Sequence, residues 1–174
     1  MQVPIPTGLT PKQTVACAIH CCDNAPYDMK RNRAKRVTCQ RLAHRKHSCV
    51  LHSLREKPGG KLSTSNRFPN VWASPRSPGK IGGKIRIPDT VVGNEIIDAK
   101  FPCDPEKVYP HLPMSGQVMP SDPAAGLSMM TPKEKTIYKK FPHPVTNTPI
   151  GDNVSCMTPS EATTEIQGTT CTCT

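Results

Sequence analysis

Two aspartates and a lysine stand in an otherwise apolar run, at a spacing that could bring their side chains together. The run extends from Ile87 to Phe101, "IPDTVVGNEIIDAKF", and contains Asp89, Asp98 and Lys100. Charged side chains are rarely buried unless they are paired or bind a metal ion. Two carboxylates suit Mg²⁺ or Mn²⁺, which prefer oxygen ligands, and an adjacent ammonium group can act on water or stabilise charge on a phosphate.

The same run predicts a β-hairpin that would position these groups. Gly93 and Asn94 can form a two-residue turn between two strand-like segments. Counting outward from this turn places Asp89 opposite Asp98, where Cβ atoms are roughly 4.5 to 5.5 Å apart and two carboxylates repel unless a cation lies between them. Lys100 would project from the same face as Asp98, because alternate residues of a strand point the same way.

The composition favours a small α+β domain with a modest core and long loops. The 174 residues include 20 prolines and 11 glycines, and only 35% of them are hydrophobic. Proline and glycine at this level are typical of long irregular segments, which we expect at 58–83 and 101–132. We expect a single domain over 1–174, with N-terminal helices, including a basic helix, in 1–57, the core that carries the two aspartates and the lysine in 58–142, and a C-terminal helix and tail in 143–174.

Three similar tetrapeptides predict the starts of helices. Each has threonine at the N-cap, proline at the first helical position, and glutamine or glutamate three residues after the threonine, which is a capping box. They begin at Thr10, Thr131 and Thr158. We therefore interpret Glu134 and Glu161 as capping residues rather than catalysts. A further helix is expected over Val37 to Leu54, and a short strand near "NVWAS", residues 70–74.

One segment carries almost all of the net charge of +10. Between Met29 and Arg55 there are nine basic residues and no acid, while the remaining fourteen lysines and arginines nearly balance the thirteen acids. This asymmetry is typical of a surface that faces a polyanion such as nucleic acid, and a solvated arm or a surface for an acidic protein is the alternative. The residues expected to contact nucleic acid are Lys30, Arg31, Arg33, Lys35, Arg36, Arg41, Arg45, Lys46 and His47.

The nine cysteines allow three interpretations. Disulfides such as Cys39 with Cys49, or links between the tail and the first helix, are expected only if the protein passes through an oxidising compartment. A zinc site is chemically possible at "CAIHCC", residues 17–22, and "CTC", residues 171–173, although these spacings do not match a zinc-finger or ribbon pattern. Otherwise the cysteines are small buried hydrophobic residues.

The "PD" of residues 88–89, followed by the "DAK" of residues 98–100, resembles the PD-(D/E)XK signature of restriction-endonuclease-like nucleases. In that family the first acid lies at the start of one central strand, and the second acid and the lysine lie on the next. The resemblance implies a small restriction-endonuclease-like core, with a central hairpin or sheet flanked by helices. Asp89 and Asp98 would hold Mg²⁺ or Mn²⁺, and Lys100 would be the catalytic lysine.

Many members of that family also use a glutamate from the first core helix. The basic segment has no acid between Asp28 and Glu56. Gln40 or His44, which share a face of the expected helix, is therefore the substitute that we expect at the catalytic site.

The function implied is hydrolysis of DNA phosphodiester bonds with little sequence specificity, because contacts to the backbone carry no sequence information. Small basic nuclease domains of this kind resemble the toxins that bacteria deliver into rivals, often through type VI secretion. The start "MQVPIPTGLTPKQ" lacks a signal-peptide pattern, and no run approaches the ~20 apolar residues of a membrane span. We therefore expect signal-peptide-independent secretion with a secretion-system carrier, action in the cytoplasm of the target cell, and an acidic immunity protein as partner.

Two other functions fit the same residues. A ribonuclease could use the same acidic site, or could use His44 and His47 as acid and base. A non-catalytic, cysteine-stabilised module could instead use the basic segment to bind an acidic partner. Sensitivity to a chelator separates the metal-dependent nuclease from the histidine ribonuclease and from the binding module.

Overall fold

The computed structural model describes residues 2–25, 39–57, 61–62, 67–75, 88–102 and 132–174. Its elements in chain order are α1 (Pro11–Asp23), α2 (Cys39–Arg55), β1 (Glu56–Lys57), β2 (Lys61–Leu62), β3 (Val71–Ala73), β4 (Thr90–Val92), β5 (Glu95–Ala99), α3 (Pro132–Lys139), β6 (Val154–Met157) and α4 (Pro159–Glu165). The prediction of a small α+β fold is confirmed. The expected loops at 58–83 and 101–132 lie largely outside the described residues.

The central sheet has four strands in the order β3-β4-β5-β6. β3, β4 and β5 are antiparallel neighbours, and β6 joins the sheet parallel to β5. The predicted hairpin is formed by β4 and β5, with Thr90 opposite Ile97 and Val92 opposite Glu95, so its predicted register is confirmed. Gly93 begins the turn at a φ of 56°, a conformation that glycine adopts without steric cost.

Two hydrophobic clusters cover the two faces of the sheet. Ile96 and Ile97 are adjacent on β5 and point to opposite faces, as strand alternation requires. Ile97 packs with residues of α1, α2 and α4, whereas Ile96 packs with Tyr138 of α3. The central strand is therefore buried on both faces, and a charged residue on it, such as Asp98, needs polar partners.

The signals for helix capping account for the helix starts. Thr10 Oγ1 accepts a hydrogen bond from Gln13 N at 3.2 Å, and Gln13 Oε1 accepts one from Thr10 N at 3.1 Å. Thr158 and Glu161 form the same reciprocal pair at the start of α4, so both capping boxes are confirmed. α3 begins at Pro132 as predicted, and the residue before it lies outside the described residues.

Three disulfides join cysteines of the described part of the chain, and two of them tie the tail to α1. They are Cys17–Cys171, Cys21–Cys173 and Cys22–Cys49. The predicted link between the tail and the first helix is confirmed. The predicted pair of Cys39 and Cys49 is wrong, because Cys49 bonds Cys22, and Cys39 and Cys49 are ten residues apart on α2, about 15 Å along the helix, which is too far for a disulfide. Cys49 instead ties α2 to α1.

Candidate functional site

Asp89 and Asp98 meet where the β4–β5 ladder ends. Asp98 Oδ1 accepts a hydrogen bond from Asp89 N at 3.3 Å, and Asp89 Oδ2 accepts one from Ala99 N at 2.8 Å. Pro88 precedes Asp89 and has no N–H group, so it cannot donate a hydrogen bond to the other strand. At this end of the hairpin the two carboxylates accept the backbone hydrogen bonds instead of the carbonyl groups. The backbone of the hairpin therefore fixes both carboxylates.

The proximity of the two carboxylates changes the proton affinity of each. Burial, together with the charge of Asp89, raises the pKa of Asp98 from 3.8 to about 7, although Lys100 opposes this change. Burial also disfavours the ionised form of Asp89, but the hydrogen bond and charge of His47 outweigh it and hold the pKa of Asp89 below its usual value. At neutral pH Asp89 is ionised, whereas Asp98 is partly protonated. Positive charge placed between them would favour the ionised form of both.

Lys100 connects the hairpin to α3. Its Nζ lies 3.0 Å from Asp98 Oδ2 and 3.5 Å from Glu134 Oε2. Burial alone would lower the pKa of Lys100, but the charge and hydrogen bond of Asp98, with the charges of Glu134 and Asp89, raise it. Lys100 is thus a fixed cation held between two acids. Glu134, interpreted from the sequence as a capping residue, also contributes a carboxylate to this cluster.

His47 brings α2 to the acidic pair. Its Nδ1 lies 3.2 Å from Asp89 Oδ2, and its ring packs edge-on against Phe101 with 5.2 Å between ring centroids. Burial would lower the pKa of His47, but the hydrogen bond and charge of Asp89, supported by the charge of Asp98, raise it. These interactions favour an imidazolium paired with the Asp89 carboxylate.

A cleft of about 160 Å³ opens beside the cluster, between α2 and the start of β4. Its walls are formed by His44, His47, Ser48, Val50, Leu51, Ser74, Pro88 and Asp89. His44, expected to substitute for the missing glutamate, is exposed and faces this cleft, while His47 is the residue that contacts Asp89. Asp98 is only 5% exposed, so solvent reaches the cluster mainly from the side of Asp89 and His47.

The structure describes part of the predicted nucleic-acid surface. Outside its described part lie Lys30, Arg31, Arg33, Lys35 and Arg36, together with the side chains of Gln40 and Arg41. Arg45 is exposed on α2 and accessible to a polyanion. Lys46 is buried, with its Nζ 2.7 Å from Asp23 Oδ1 and 5.7 Å from the centre of the Phe101 ring. The expected contact of Lys46 with nucleic acid is therefore corrected: this lysine holds α2 against the end of α1.

The sequence did not reveal how His47 and Glu134 take part in the site. His44 and His47 are three residues apart and share a helix face, so no local signal selects the one that meets Asp89. Glu134 is separated from Lys100 by more than thirty residues without a periodic pattern. The packing of α3 on the sheet brings these two side chains together, and this packing has no local signature.

No protein-family model matches the chain, and no curated protein or solved structure matches it either. Among the helices that the structure describes, none combines the length and the apolar character needed to cross a membrane. A functional assignment therefore depends on the geometry and chemistry of the site.

Proposed function

We propose that the chain is a metal-dependent nuclease that hydrolyses DNA phosphodiester bonds with little sequence specificity. The observation that carries this proposal is the convergence of Asp89, Asp98 and Lys100 at the end of one hairpin, where His47 joins them from α2. The positions of the acids also support it, because one precedes a central strand and the other lies on the next strand, as the PD-(D/E)XK resemblance implies.

The acidic pair suits a divalent cation. Burial and the charge of Asp89 raise the pKa of Asp98, so a bound cation would favour the ionised form of the pair, and Mg²⁺ and Mn²⁺ prefer such oxygen ligands. Asp89 and Asp98 would hold the ion, whose chemistry at such a site is Lewis-acid polarisation of the phosphate and activation of water. The hydrogen bond from His47 would orient Asp89, as partners of metal ligands commonly do.

Lys100 suits electrostatic stabilisation better than proton abstraction. Its raised pKa keeps it protonated, and its contacts with Asp98 and Glu134 hold Nζ in one place. A fixed ammonium group beside a scissile phosphate stabilises the negative charge that develops in the transition state. Arg45 and the basic residues before it would bind the phosphate backbone, which accounts for low sequence specificity.

The three disulfides support passage of the protein through an oxidising compartment. Together with the resemblance to nuclease toxins, they lead us to propose a secreted antibacterial effector that acts on DNA in the cytoplasm of the target cell. An acidic immunity protein could cover the basic surface by charge complementarity. Expression in a bacterial cytoplasm should then degrade the chromosome, and an inactive Asp98→Ala variant should be harmless.

Plasmid cleavage tests the nuclease proposal directly. Wild type should cut supercoiled DNA in Mg²⁺ or Mn²⁺, and EDTA should abolish cleavage. Asp98→Ala and Lys100→Ala, with folding verified by circular dichroism, should each lower the rate about 100-fold or more, as loss of a fixed charge in an active site commonly does.

The matched controls are Asp152→Ala and Lys139→Ala. These remove the same residue types from an exposed ion pair, with 3.1 Å between Lys139 Nζ and Asp152 Oδ1, and should cleave like wild type. Plasmid that stays intact in both ions, or equal cleavage by wild type and Asp98→Ala, would show that the proposed DNase site is wrong.

A ribonuclease is the second candidate, because His47 pairs with Asp89 and His44 lines the same cleft. Two histidines at such a cleft could act as general acid and base on RNA. Cleavage of RNA that resists EDTA, is lost in His47→Ala and persists in Asp98→Ala would favour this function over the metal-dependent DNase.

A further inference from the structure

Four cysteines from the two ends of the chain form one cluster of sulfur atoms. Cys17 and Cys21 are four residues apart on α1 and therefore share a helix face. The tail contributes Cys171, bonded to Cys17, and Cys173, bonded to Cys21. The Sγ atoms of Cys17, Cys21 and Cys171 lie within 4.8 Å of one another, and the bond to Cys21 holds Cys173 Sγ beside them. Three of the four sulfurs thus lie close enough together to share one metal ion, and the fourth is bonded to one of them.

From this geometry we propose that the four cysteines bind one Zn²⁺ ion when the two disulfides are reduced. Zinc takes four thiolates at about 2.3 Å in tetrahedral geometry, which places the sulfurs about 3.8 Å apart. On reduction the bonded sulfurs would move apart, and the unbonded sulfur pairs among Cys17, Cys21 and Cys171 would close from at most 4.8 Å. Changes of about 1 to 2 Å are within the reach of cysteine rotamers and a short tail.

The burial of the cluster is asymmetric, which suits a metal centre that can be loaded from solvent. Cys17 and Cys21 are buried on α1, so the helix excludes water from one side. Cys171 is half-buried and Cys173 is exposed, so a reductant and then the ion can reach the sulfurs from the side of the tail. Thiol–disulfide exchange depends on this kind of access.

The exchange balances in atoms and electrons. Each disulfide reacts with two low-molecular-mass thiols, gains two electrons and two protons, and gives two cysteine thiols, while the reductant becomes a disulfide. The four thiols then bind Zn²⁺ as thiolates and release four protons, so binding tightens as pH rises. The third described disulfide, between Cys22 and Cys49, is not part of this sulfur cluster and supplies no ligand to the proposed zinc centre.

The zinc centre would keep the tail attached to α1 in a compartment where disulfides are reduced. α4 packs against α1 and leads directly into the tail, so either form of the cluster ties the C-terminal end of the fold to its first helix. The inference is independent of the nuclease proposal, because no residue of the acidic cluster takes part in it.

Zinc binding to the intact chain in both redox states tests the proposal. Protein reduced with a phosphine and freed of metal should bind one Zn²⁺ per chain, and Co²⁺ should give the visible absorption bands of a tetrahedral thiolate site. Zinc should raise the melting temperature of the reduced chain. The oxidised chain should give no thiolate absorption bands with Co²⁺, because its sulfurs are bonded to one another.

Cysteine variants locate the site. Cys171→Ser/Cys173→Ser should weaken zinc binding by the reduced chain by more than about 100-fold, since even partners of metal ligands matter by 10 to 100-fold. Cys156→Ser, which removes a cysteine outside the three disulfides, should bind like wild type. Should the tail variant fold poorly, a chain ending at Thr170 gives the same comparison. Thiolate bands of equal strength with Co²⁺ in oxidised protein, or in the tail variant, would overturn the proposal, as would a reduced wild type that gives no such bands.

Discussion

Replacing Asp98 with asparagine should stabilise the metal-free protein at alkaline pH. Asp98 is 5% exposed, and its pKa rises from 3.8 to about 7 because it is buried beside Asp89. Its ionised form is therefore disfavoured in the folded chain relative to the unfolded chain. The asparagine side chain would keep the shape and the oxygen that accepts a hydrogen bond from Asp89 N, and would remove the charge.

The sign and size of the effect follow from linkage. Because the folded state holds the Asp98 proton more tightly, wild type loses stability as pH rises from about 4 to about 7, and the variant lacks this loss. At 1.36 kcal/mol per pKa unit, the difference approaches about 4 kcal/mol at most, and we expect about 2 kcal/mol because a neutral amide no longer attracts the Lys100 ammonium group. For a domain of this size, that is about 4 to 8 °C in Tm.

Thermal unfolding in EDTA at pH 4.5 and pH 8 measures this difference. The Tm of Asp98→Asn should exceed that of wild type at pH 8, and the difference should be much smaller at pH 4.5, where the folded carboxyl is protonated. Asp152→Asn, which neutralises a carboxylate that is 94% exposed, should melt like wild type at both pH values. Mg²⁺ should narrow the gap at pH 8 by stabilising wild type through binding. A gap that is absent, or equal at the two pH values, would refute the reasoning about Asp98.

Four further substitutions, with one control, separate the roles of neighbouring charges. His47→Ala should lower the rate of DNA cleavage about 10 to 100-fold, because Asp89 would lose the side chain that orients it. The control His20→Ala removes a histidine that is hydrogen-bonded to Thr163 on α4 and should leave the rate unchanged. Equal rates for His47→Ala and wild type would exclude a role for His47. Arg45 is exposed, so Arg45→Ala should reduce the salt dependence of DNA binding by about one phosphate contact and change Tm little. Lys46 is buried, so Lys46→Ala should lower Tm. A lower Tm for Arg45→Ala, with an unchanged Tm for Lys46→Ala, would contradict this assignment. Glu134→Gln should lower kcat and shift the pH profile of kcat, because Lys100 would lose its ion pair with Glu134. An unchanged pH profile would exclude this positioning role of Glu134.

The hairpin could be predicted because its determinants are local. A two-residue turn fixes the pairing register, and the alternation of side chains then fixes which residues face one another. Asp89 opposite Asp98 followed from these two rules, and so did Lys100 on the face of Asp98. Pro88, which cannot donate a hydrogen bond to the ladder, lies outside the strand, because the strand begins only at Thr90.

The rest of the cluster could not be predicted because tertiary packing decides it. The basic character of α2 predicts a surface facing a polyanion, yet it cannot show that Lys46 points inward to Asp23 while Arg45 points outward. The cysteine pairing was equally open, since nine cysteines allow many combinations. Helix geometry excludes Cys39 from bonding Cys49 only after both are placed on one helix.

The arrangement of charges is itself an argument for function over structural support. A network that only stabilises the fold alternates positive and negative groups, and a like-charged pair in its centre costs stability. Here backbone hydrogen bonds hold Asp89 and Asp98 next to each other. His47 pairs with Asp89 and Lys100 pairs with Asp98. An asparagine at position 98 could make the same backbone contact without the electrostatic penalty. Retaining a destabilising carboxylate in a thin core that also uses disulfides is what a stability–function trade-off at a cation-binding site predicts.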